Sequence, residues 1–312
     1  MLPKRVTFAT NVSKSSGAGH FRRLLEISRA LPASIEKMFF GSLEISWVRE
    51  ISEKAFLTAN PFEKYEENDL VVLDSYDELF CQQVSSLFSN CTTLQIADRY
   101  TPLLPHSLII FMDLPFSYAH SSIESRVLAH GIKYLPSRRL SKQSVEFLEQ
   151  AKRVLVTTGG LVNNYIFDQL IVELAKNKYR DIAFEFIGDY EHIPKDVNNF
   201  HFHSFGSNFD SIAKDCDTAI SAAGTTLWDL LASQKIVGLA AIFENQMANF
   251  EYVIEKRQAL EIFSAVDLDL NAEGLQTLFF DTSVRRSIQE EISDKYDFDG
   301  AMRVYNLILE AL

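Results

Sequence analysis

A glycine-containing loop, Ser13-Lys14-Ser15-Ser16-Gly17-Ala18-Gly19-His20-Phe21-Arg22-Arg23, joins the apolar run Val6–Thr10 to a helical pattern that continues to Leu31. A strand, a small loop and a helix in this order place backbone N–H groups and the positive end of a helix dipole at one corner. Arg22 stands where a dinucleotide-binding fingerprint would need its third glycine. The stretch therefore predicts a strand–loop–helix corner with a titratable side chain, His20, in the first turn of the helix.

Short β-rich runs alternate with helical runs along the whole sequence, which is the pattern of a parallel, doubly wound sheet. Several runs, such as Val71-Val72-Leu73, are continuously apolar, as expected for strands that are covered on both faces. We predict an α/β fold of two doubly wound, Rossmann-like domains that face each other across a cleft. The expected strands are Val6–Thr10, Lys37–Phe40, Ala55–Thr58, Leu70–Leu73, Leu94–Ala97, Leu108–Met112, Ile132–Leu135, Arg153–Thr157, Ala183–Ile187, Phe200–Phe205, Thr218–Ser221 and Ile236–Ala241.

Composition narrows the class of protein. The 312 residues are 47% hydrophobic and 23% charged, which suits two folded cores. No apolar run reaches the roughly 18 residues of a membrane span, and the start of the chain lacks a secretory pattern, so we expect a cytoplasmic protein. The net charge of −12 argues against nucleic acid as the partner. Three cysteines without a CxxC spacing are expected to be buried thiols.

The first half offers candidate catalytic groups at strand ends. His20 is suited to general-base work near pH 7, because an unperturbed imidazole has a pKa of about 6.5; a packing or capping histidine is an equal alternative. Three strand-like runs end in Asp74, Asp98 and Asp113, and Tyr76 follows the first. A parallel sheet would bring these groups to the edge that carries the loop, where they could bind sugar hydroxyls, orient the histidine or activate water. Each aspartate alone is also typical of a turn or helix cap.

The second half offers candidate anion-binding loops. Thr157-Thr158-Gly159-Gly160 closes one strand, and Ser221-Ala222-Ala223-Gly224-Thr225-Thr226-Leu227-Trp228-Asp229 lies between a strand and a helix. N–H and hydroxyl groups of the second segment could bind a diphosphate, and Asp229 is placed to accept hydrogen bonds from ribose hydroxyls. Asn245 and Gln246 follow another strand. A tight turn, a threonine cap and a first-turn acid are the plainer alternatives.

Taken together, the motifs resemble those of the nucleotide-sugar hydrolases of pseudaminic acid biosynthesis and their spore-coat polysaccharide relatives. The resemblance extends along nearly the whole chain, and it implies the glycosyltransferase-B fold. It rests, in order, on Gly17-x-Gly19-His20-x-x-Arg23, Asp74-x-Tyr76, Gly131-x-x-Tyr134-x-x-x-Arg138, Gly159-Gly160, Ser221–Asp229 and Asn245-Gln246.

The resemblance implies that His20 is a general base, which activates water to attack the anomeric carbon with inversion and to release UDP and a free amino or deoxy sugar. No metal or other cofactor is implied, and the expected partner is a UDP-sugar; weak self-association is left open. The candidate catalytic residues are His20, Asp74 and Tyr76; the candidate sugar-binding residues are Gly17, Gly19, Arg23 and Asp98; and the candidate nucleotide-binding residues are Gly159, Gly160, Ser221, Gly224, Thr225, Thr226, Asp229, Asn245 and Gln246.

This chain also departs from the family pattern. Leu161-Val162 stands where the hydrolases usually carry Thr-Asp, and Asp229 stands where they tend to have glutamate. A more acidic strand end is usual where Asp98-Arg99-Tyr100 stands here. The nucleotide-binding fold can survive these changes, but they leave the sugar and even the acceptor open.

Three functions are consistent with the sequence. The first is hydrolysis of a nucleotide sugar in cell-surface glycan or nonulosonic acid biosynthesis. The second is an inverting glycosyltransferase, in which His20 would deprotonate a sugar acceptor, and the third is a non-catalytic sugar-nucleotide binding protein. We predict a sugar or acceptor domain with the catalytic loop at residues 1–142, a nucleotide-binding domain at residues 151–290, and a C-terminal helix at residues 291–312 that packs back on the first domain.

Overall fold

The computed structural model describes residues 3–13, 17–60, 63, 65, 69–112, 125–140, 147–159, 163–190, 192–194, 197–205 and 208–311. The chain forms two units. Unit 1 consists of Met1–Ser137 together with Phe298–Leu312, and unit 2 consists of Arg138–Asp297. Each unit is a parallel sheet with helices in its crossovers, which confirms the predicted α/β class with two doubly wound, Rossmann-like domains.

Unit 1 contains a seven-stranded parallel sheet in the order β3-β2-β1-β4-β5-β6-β7. The chain builds outward from β1 to one side, then returns to build the other side from β4. The chain thus reverses its direction of strand addition between the neighbouring strands β1 and β4. Such a topological switch point is where open α/β sheets bind ligands. The elements are β1 (Arg5–Ala9), α1 (Gly19–Ala30), β2 (Glu36–Phe40), α2 (Ser46–Ala55), β3 (Leu57–Thr58), β4 (Leu70–Leu73), α3 (Glu78–Leu87), β5 (Thr92–Ala97), β6 (Leu108–Phe111) and β7 (Arg126–His130).

The register of the central strands brings two loops together. Ala9 at the end of β1 lies opposite Leu73 at the end of β4. The N–H group of Asp74 then donates to the carbonyl of Ala9 at 3.1 Å. All four residues of β4 are buried, as its continuous apolar run predicts for a central strand. The residues that follow β1 and β4 therefore emerge side by side at the carboxyl edge.

Unit 2 repeats this plan with six parallel strands in the order β10-β9-β8-β11-β12-β13. Its switch point lies between β8 and β11, and Thr157 lies opposite Ser221 there. The elements are β8 (Arg153–Thr157), α4 (Asn164–Leu174), β9 (Ala183–Ile187), β10 (Phe200–His203), α5 (Phe209–Asp215), β11 (Thr218–Ala222), α6 (Thr225–Ala232), β12 (Ile236–Ala240), α7 (Met247–Glu255), β13 (Leu260–Glu261), α8 (Ala272–Phe280) and α9 (Thr282–Ile292).

The last helix, α10 (Gly300–Ala311), belongs to unit 1 and packs against α1. Val304 and Ile308 are its buried apolar residues. At its first residue the helix approaches the chain so closely that a Cβ on Gly300 would lie 2.0 Å from the carbonyl oxygen of Leu135. Unit 1 is thus built from both ends of the described chain.

One predicted strand is wrong. Ile132–Leu135 was expected to be β, but Ile132–Tyr134 forms a single turn of 3-10 helix, and the strand is β7, a few residues earlier. Gly131, with a φ of +113°, ends that strand and turns the chain. β7 is a largely exposed edge strand, so it lacks the continuous apolar pattern of its neighbours.

Other predicted elements differ in extent or lie outside the described residues. The amphipathic pattern of residues 143–150 predicts a short helix, but residues 147–150 are not helical and residues 143–146 lie outside the described part of the chain. The helical pattern that runs from Val284 to Leu312 is divided into α9 and α10 by residues 293–299. In the part of the chain that the structure describes, no helix combines the length and the apolar character needed to cross a membrane.

The three cysteines are free thiols. Cys81 and Cys216 are buried, and burial raises the pKa of each to about 12. Cys91 is half-buried, and burial raises its pKa to about 11. The thiols therefore stay protonated near neutral pH and act as apolar packing groups.

Candidate functional site

The first candidate site lies at the switch point of unit 1. The loop after β1 leads through Gly17, whose φ is +69°, into α1. His20 and Arg23 lie three residues apart near the start of α1, so both side chains project from one face. Asp74 follows the end of β4, the strand that pairs with β1. Sheet register and helix spacing together bring these three side chains into contact.

Their contacts form a compact buried triad. The Nδ1 atom of His20 lies 2.5 Å from Oδ1 of Asp74. Arg23 donates to the same carboxylate from Nε and Nη2, at 2.7 Å each. The exposed fractions are 6% for His20, 9% for Arg23 and 0% for Asp74. The imidazole is therefore held in one orientation by partners that are themselves fixed.

The charges in the triad determine the histidine tautomer. Burial alone would raise the pKa of Asp74, but the charge of Arg23 and the hydrogen bonds to Asp74 lower it below its usual value. Asp74 in turn outweighs burial and raises the pKa of Arg23. An ionised carboxylate can only accept a hydrogen bond, so the proton of the 2.5 Å contact belongs on Nδ1 of His20. In a neutral imidazole with this tautomer, Nε2 carries the lone pair that a general base requires.

Arg23 is bound within the triad. It was expected to contact the sugar, but its guanidinium is bound to Asp74, and Nη2 also lies 2.8 Å from Nδ1 of His20. Arginine has no acceptor, and Nδ1 already carries a proton, so this short contact places a positive charge beside the ring. Arg23 therefore acts on the site through Asp74 and His20.

A second group of polar residues continues from the triad. The ring of Tyr76 meets the ring of His20 edge to face, with centroids 4.3 Å apart. The Tyr76 hydroxyl donates to Oδ2 of Asp98, and burial, followed by the charge of Asp98, raises the pKa of that hydroxyl. Oδ1 of Asp98 accepts from the N–H group of Tyr100 at 2.9 Å. Asp98 is half-buried, so part of this residue is exposed to solvent.

The structure thus gathers most of the predicted groups of the first half. His20, Asp74, Tyr76 and Asp98 lie in one connected arrangement at the carboxyl edge of unit 1. Gly19 is the first residue of α1 and, like Gly17, brings only backbone to the corner. The third aspartate of the pattern, Asp113, lies outside the described residues.

The second candidate site lies at the switch point of unit 2. Thr225 and Thr226 begin α6 directly after β11, and within the described residues no side chain caps this helix. By contrast, α4 after the neighbouring strand is capped by Asn163, which accepts from the N–H group of Ile166 at 3.2 Å. The free N–H groups and positive dipole end of α6 therefore mark the better anion-binding position of the two.

The loops that follow β8 and β12 lie near the start of α6. Gly159, with a φ of +90°, follows β8 and turns the chain at the switch point; Gly160 lies outside the described residues. Gln246 accepts from the N–H group of Ile242 at 2.9 Å, and its amide nitrogen lies 3.6 Å from where a Cβ on Gly224 would be. Gln246 therefore presents an amide beside the start of α6.

The other predicted nucleotide contacts divide by exposure. Asn245 is exposed on the same loop and is accessible to a ligand. Ser221 is buried, and its hydroxyl donates to the carbonyl of Ala222 at 3.0 Å, so it contributes to the shape of the strand end. Asn249, which no sequence pattern singled out, donates to the carbonyl of Ala223 at 3.1 Å and supports the turn into α6.

Asp229 does not have the open position expected for a ribose contact. It is buried, and it accepts from the N–H group of Arg138 at 2.7 Å and from Nε of the same residue at 2.8 Å. The Arg138 guanidinium also contacts Asp210 at 2.5 Å and lies over the ring of Phe209. No short-range pattern predicts this pair, because its members are 91 residues apart.

Among the described residues, no three histidine, cysteine, aspartate or glutamate side chains are arranged to hold a metal ion. The two candidate sites therefore offer a positioned imidazole in unit 1 and a helix start without a side-chain cap in unit 2.

Comparison with known proteins supports the fold. No known family model matches the chain. The chain is 26% identical over 301 residues to the pseudaminic acid cytidylyltransferase and UDP-2,4-diacetamido-2,4,6-trideoxy-beta-L-altropyranose hydrolase of Helicobacter pylori. The match covers 93% of this chain and 53% of that protein, so the chain spans about half the length of this curated relative.

Solved glycosyltransferases share the architecture over the whole chain. The calicheamicin glycosyltransferase CalG4 aligns with a TM-score of 0.61 at 13% identity, covering 100% of both chains. The spinosyn rhamnosyltransferase SpnG, solved with thymidine diphosphate, aligns with a TM-score of 0.60 at 12% identity, covering 97% of this chain and 99% of its own. At these identities the likeness shows the fold alone.

Proposed function

We propose that this protein is a nucleotide-sugar hydrolase that releases a nucleoside diphosphate, with UDP as the expected product, and a free amino or deoxy sugar. The observation that carries the proposal is the triad at the switch point of unit 1, where Asp74 and Arg23 fix the His20 imidazole with its Nε2 lone pair free. A base oriented in this way, at a position where α/β sheets bind ligands, is suited to remove a proton from an attacking hydroxyl.

The proposed reaction is a single displacement. Nε2 of His20 takes a proton from water as the water oxygen bonds to the anomeric carbon, and the bond from that carbon to the diphosphate oxygen breaks with its electron pair. Attack opposite the leaving group inverts the anomeric configuration. Asp74 stabilises the imidazolium that forms, because it accepts the Nδ1 hydrogen bond and is ionised before the reaction begins.

Unit 2 would hold the leaving group. The N–H groups at the start of α6, with the hydroxyls of Thr225 and Thr226, can accept the negative charge that develops on the diphosphate. Gln246 adds an amide donor at the same place. A diphosphate is a good leaving group, so its departure needs no general acid.

Asp98 is the proposed sugar-recognition residue of unit 1. Its carboxylate is oriented by Tyr76 and by the backbone of Tyr100, yet it stays half-exposed. It can therefore accept a hydrogen bond from a sugar hydroxyl or from the N–H group of an acetamido substituent. The Helicobacter pylori relative is named as a hydrolase of a diacetamido UDP-sugar. This name supports an amino sugar as part of the substrate and a role for this protein in nonulosonic acid biosynthesis.

A glycosyltransferase is the second candidate, because CalG4 and SpnG share the fold. In that reaction His20 would deprotonate a sugar hydroxyl instead of water. The same base and the same leaving group would serve both reactions, so the acceptor alone distinguishes them.

The deciding experiment is incubation of the protein with UDP-activated amino sugars, with and without a sugar acceptor, followed by NMR of the products. UDP and free sugar of inverted configuration are expected without an acceptor. Release that requires an acceptor would exclude the hydrolase and support the transferase. Release in neither case, with tight binding of the nucleotide sugar, would support the non-catalytic alternative.

The role of His20 has its own test. His20→Asn should lower turnover by about 10²–10⁴-fold, because general-base catalysis contributes that much, while the affinity for UDP stays unchanged. His201→Ala is the matched control, since His201 is exposed on the edge strand β10. Full turnover in the His20 variant would overturn the mechanism.

A further inference from the structure

The ribose of a bound nucleotide meets an unexpected arrangement at α6. Asp229 lies in the second turn of this helix, one turn beyond the proposed diphosphate position, and is 3% exposed. Sequence pattern alone makes it an acceptor for ribose hydroxyls. In the structure both of its oxygens already have donors, and all of these donors belong to Arg138.

Several contacts hold the ion pair between Asp229 and Arg138 in place. Oδ1 of Asp229 accepts from the Arg138 backbone at 2.7 Å, and Oδ2 accepts from Nε at 2.8 Å and from Nη2 at 2.7 Å. The other side of the guanidinium contacts Asp210 at 2.5 Å and lies 4.6 Å from the centre of the Phe209 ring. Neither partner can turn toward a ligand without losing several contacts at once.

The ion pair between Asp229 and Arg138 is expected to stay intact when a nucleotide binds. A ribose hydroxyl is a neutral donor, and it would have to replace charge-assisted hydrogen bonds from a guanidinium. Opening the pair would also leave a buried charge without its partner, which costs more free energy than a neutral hydrogen bond returns.

We infer that Asp229 does not recognise the ribose, and that the site binds ribo- and 2′-deoxyribonucleoside diphosphates with similar affinity. This inference rests on the proposed function and widens its substrate class to sugars carried on either kind of nucleotide. Binding of the diphosphate would be unaffected, because it would depend on the N–H groups at the start of α6 and not on the pentose.

The test is calorimetric titration of the whole protein with matched ribo- and 2′-deoxyribo pairs of uridine, cytidine, adenosine and guanosine diphosphate. For the base that binds best, the two dissociation constants should agree within threefold. A larger preference for the ribo form overturns the inference and leaves the proposed function standing. Binding of none of these diphosphates overturns the proposed function and this inference with it.

Two variants locate any ribose recognition that is found. Asp229→Asn keeps the shape of the side chain but weakens its hold on Arg138, so it should lower the unfolding temperature and leave the ribo-to-deoxyribo ratio unchanged. Glu244→Gln leaves the buried pair intact and removes an exposed carboxylate from the loop that carries Gln246. A ratio that changes in either variant would show that a carboxylate reads the ribose and would overturn the inference.

Discussion

At the scale of single residues, the central feature is that Asp74 contacts two groups at once: the guanidinium of Arg23, which carries a permanent charge, and the imidazole of His20. Arg23 therefore neutralises the Asp74 carboxylate in the folded protein, while Oδ1 of that carboxylate also contacts Nδ1 of His20. In the proposed reaction, the same carboxylate would stabilise the imidazolium that forms.

Removal of Arg23 should be costly for stability as well as for turnover. Arg23→Gln leaves the buried Asp74 carboxylate without its cation, so we expect a loss of about 3–5 kcal/mol in the free energy of unfolding. Arg23→Gln combined with Asp74→Asn should lose less than the sum of the two single changes, because the double variant contains no unpaired buried charge. Urea unfolding of the four proteins measures the coupling, and strict additivity would contradict a direct pair.

Asp74 should also make stability depend on pH in the acid range. Its pKa is lower in the folded protein than the value of about 3.9 in an unfolded chain. The ionised group therefore stabilises the fold above about pH 4, and this contribution is lost as the pH falls through the lower folded pKa. Asp74→Asn should be less stable than the native chain at pH 7, and the difference should narrow toward pH 2. A difference that is constant with pH would contradict the assignment.

Residue types and strand ends predicted which side chains lie together at the carboxyl edge of unit 1, but not every partner that they contact. His20, Asp74, Tyr76 and Asp98 were found from loop and strand ends because a parallel sheet brings those ends to one edge. The contacts of Arg23 and Asp229 were not predicted, because the partner of each residue is distant in sequence. Arg23 is bound by Asp74, 51 residues away, and Asp229 by Arg138, 91 residues away.

At the scale of secondary-structure elements, the start of α10 leaves no room for a side chain at Gly300. Gly300→Ala would place a methyl group 2.0 Å from the carbonyl oxygen of Leu135. Alanine ordinarily stabilises a helix relative to glycine by about 1 kcal/mol. Here the clash should reverse the sign and destabilise unit 1 by about 1–3 kcal/mol, as overpacking does.

The measurement is thermal or urea unfolding of Gly300→Ala, with Asn306→Ala as the control. Asn306 is exposed on the same helix, so its replacement should be neutral or slightly stabilising. A Gly300→Ala protein that is as stable as the native chain would show that the first turn of α10 can move away from Leu135 at little cost.

Elements were predictable where their apolar pattern was strong. Leu70–Leu73 and Ala183–Ile187 were predicted with their observed limits, because central strands are buried on both faces. β7 was missed because an exposed edge strand is not continuously apolar. The two-residue strand β13 was missed because so short a run carries almost no periodic signal.

At the scale of the whole molecule, α10 connects the C-terminal end of the described chain to the helix that carries His20 and Arg23. Its buried residues Val304 and Ile308 each contribute about 1.5–3 kcal/mol of burial. Deletion of residues 298–312 should therefore destabilise unit 1 and lower turnover at least tenfold.

The same deletion removes nothing from unit 2. The affinity for UDP, measured by calorimetry, should consequently stay within threefold of the value for the intact chain. Loss of turnover and of UDP affinity to the same extent would contradict the assignment of the two tasks to separate units.

The placement of α10 also has a consequence for biosynthesis. A ribosome releases the strands of unit 1 first, but this unit lacks its closing helix until residues 298–311 have been made. Unit 2 is complete in sequence before then, so it can finish folding while the earlier unit waits with an uncovered apolar face on α1. The unit that bears the proposed base would thus mature after unit 2, and a chain that stalls before residue 298 could bind a nucleotide without being able to catalyse a reaction.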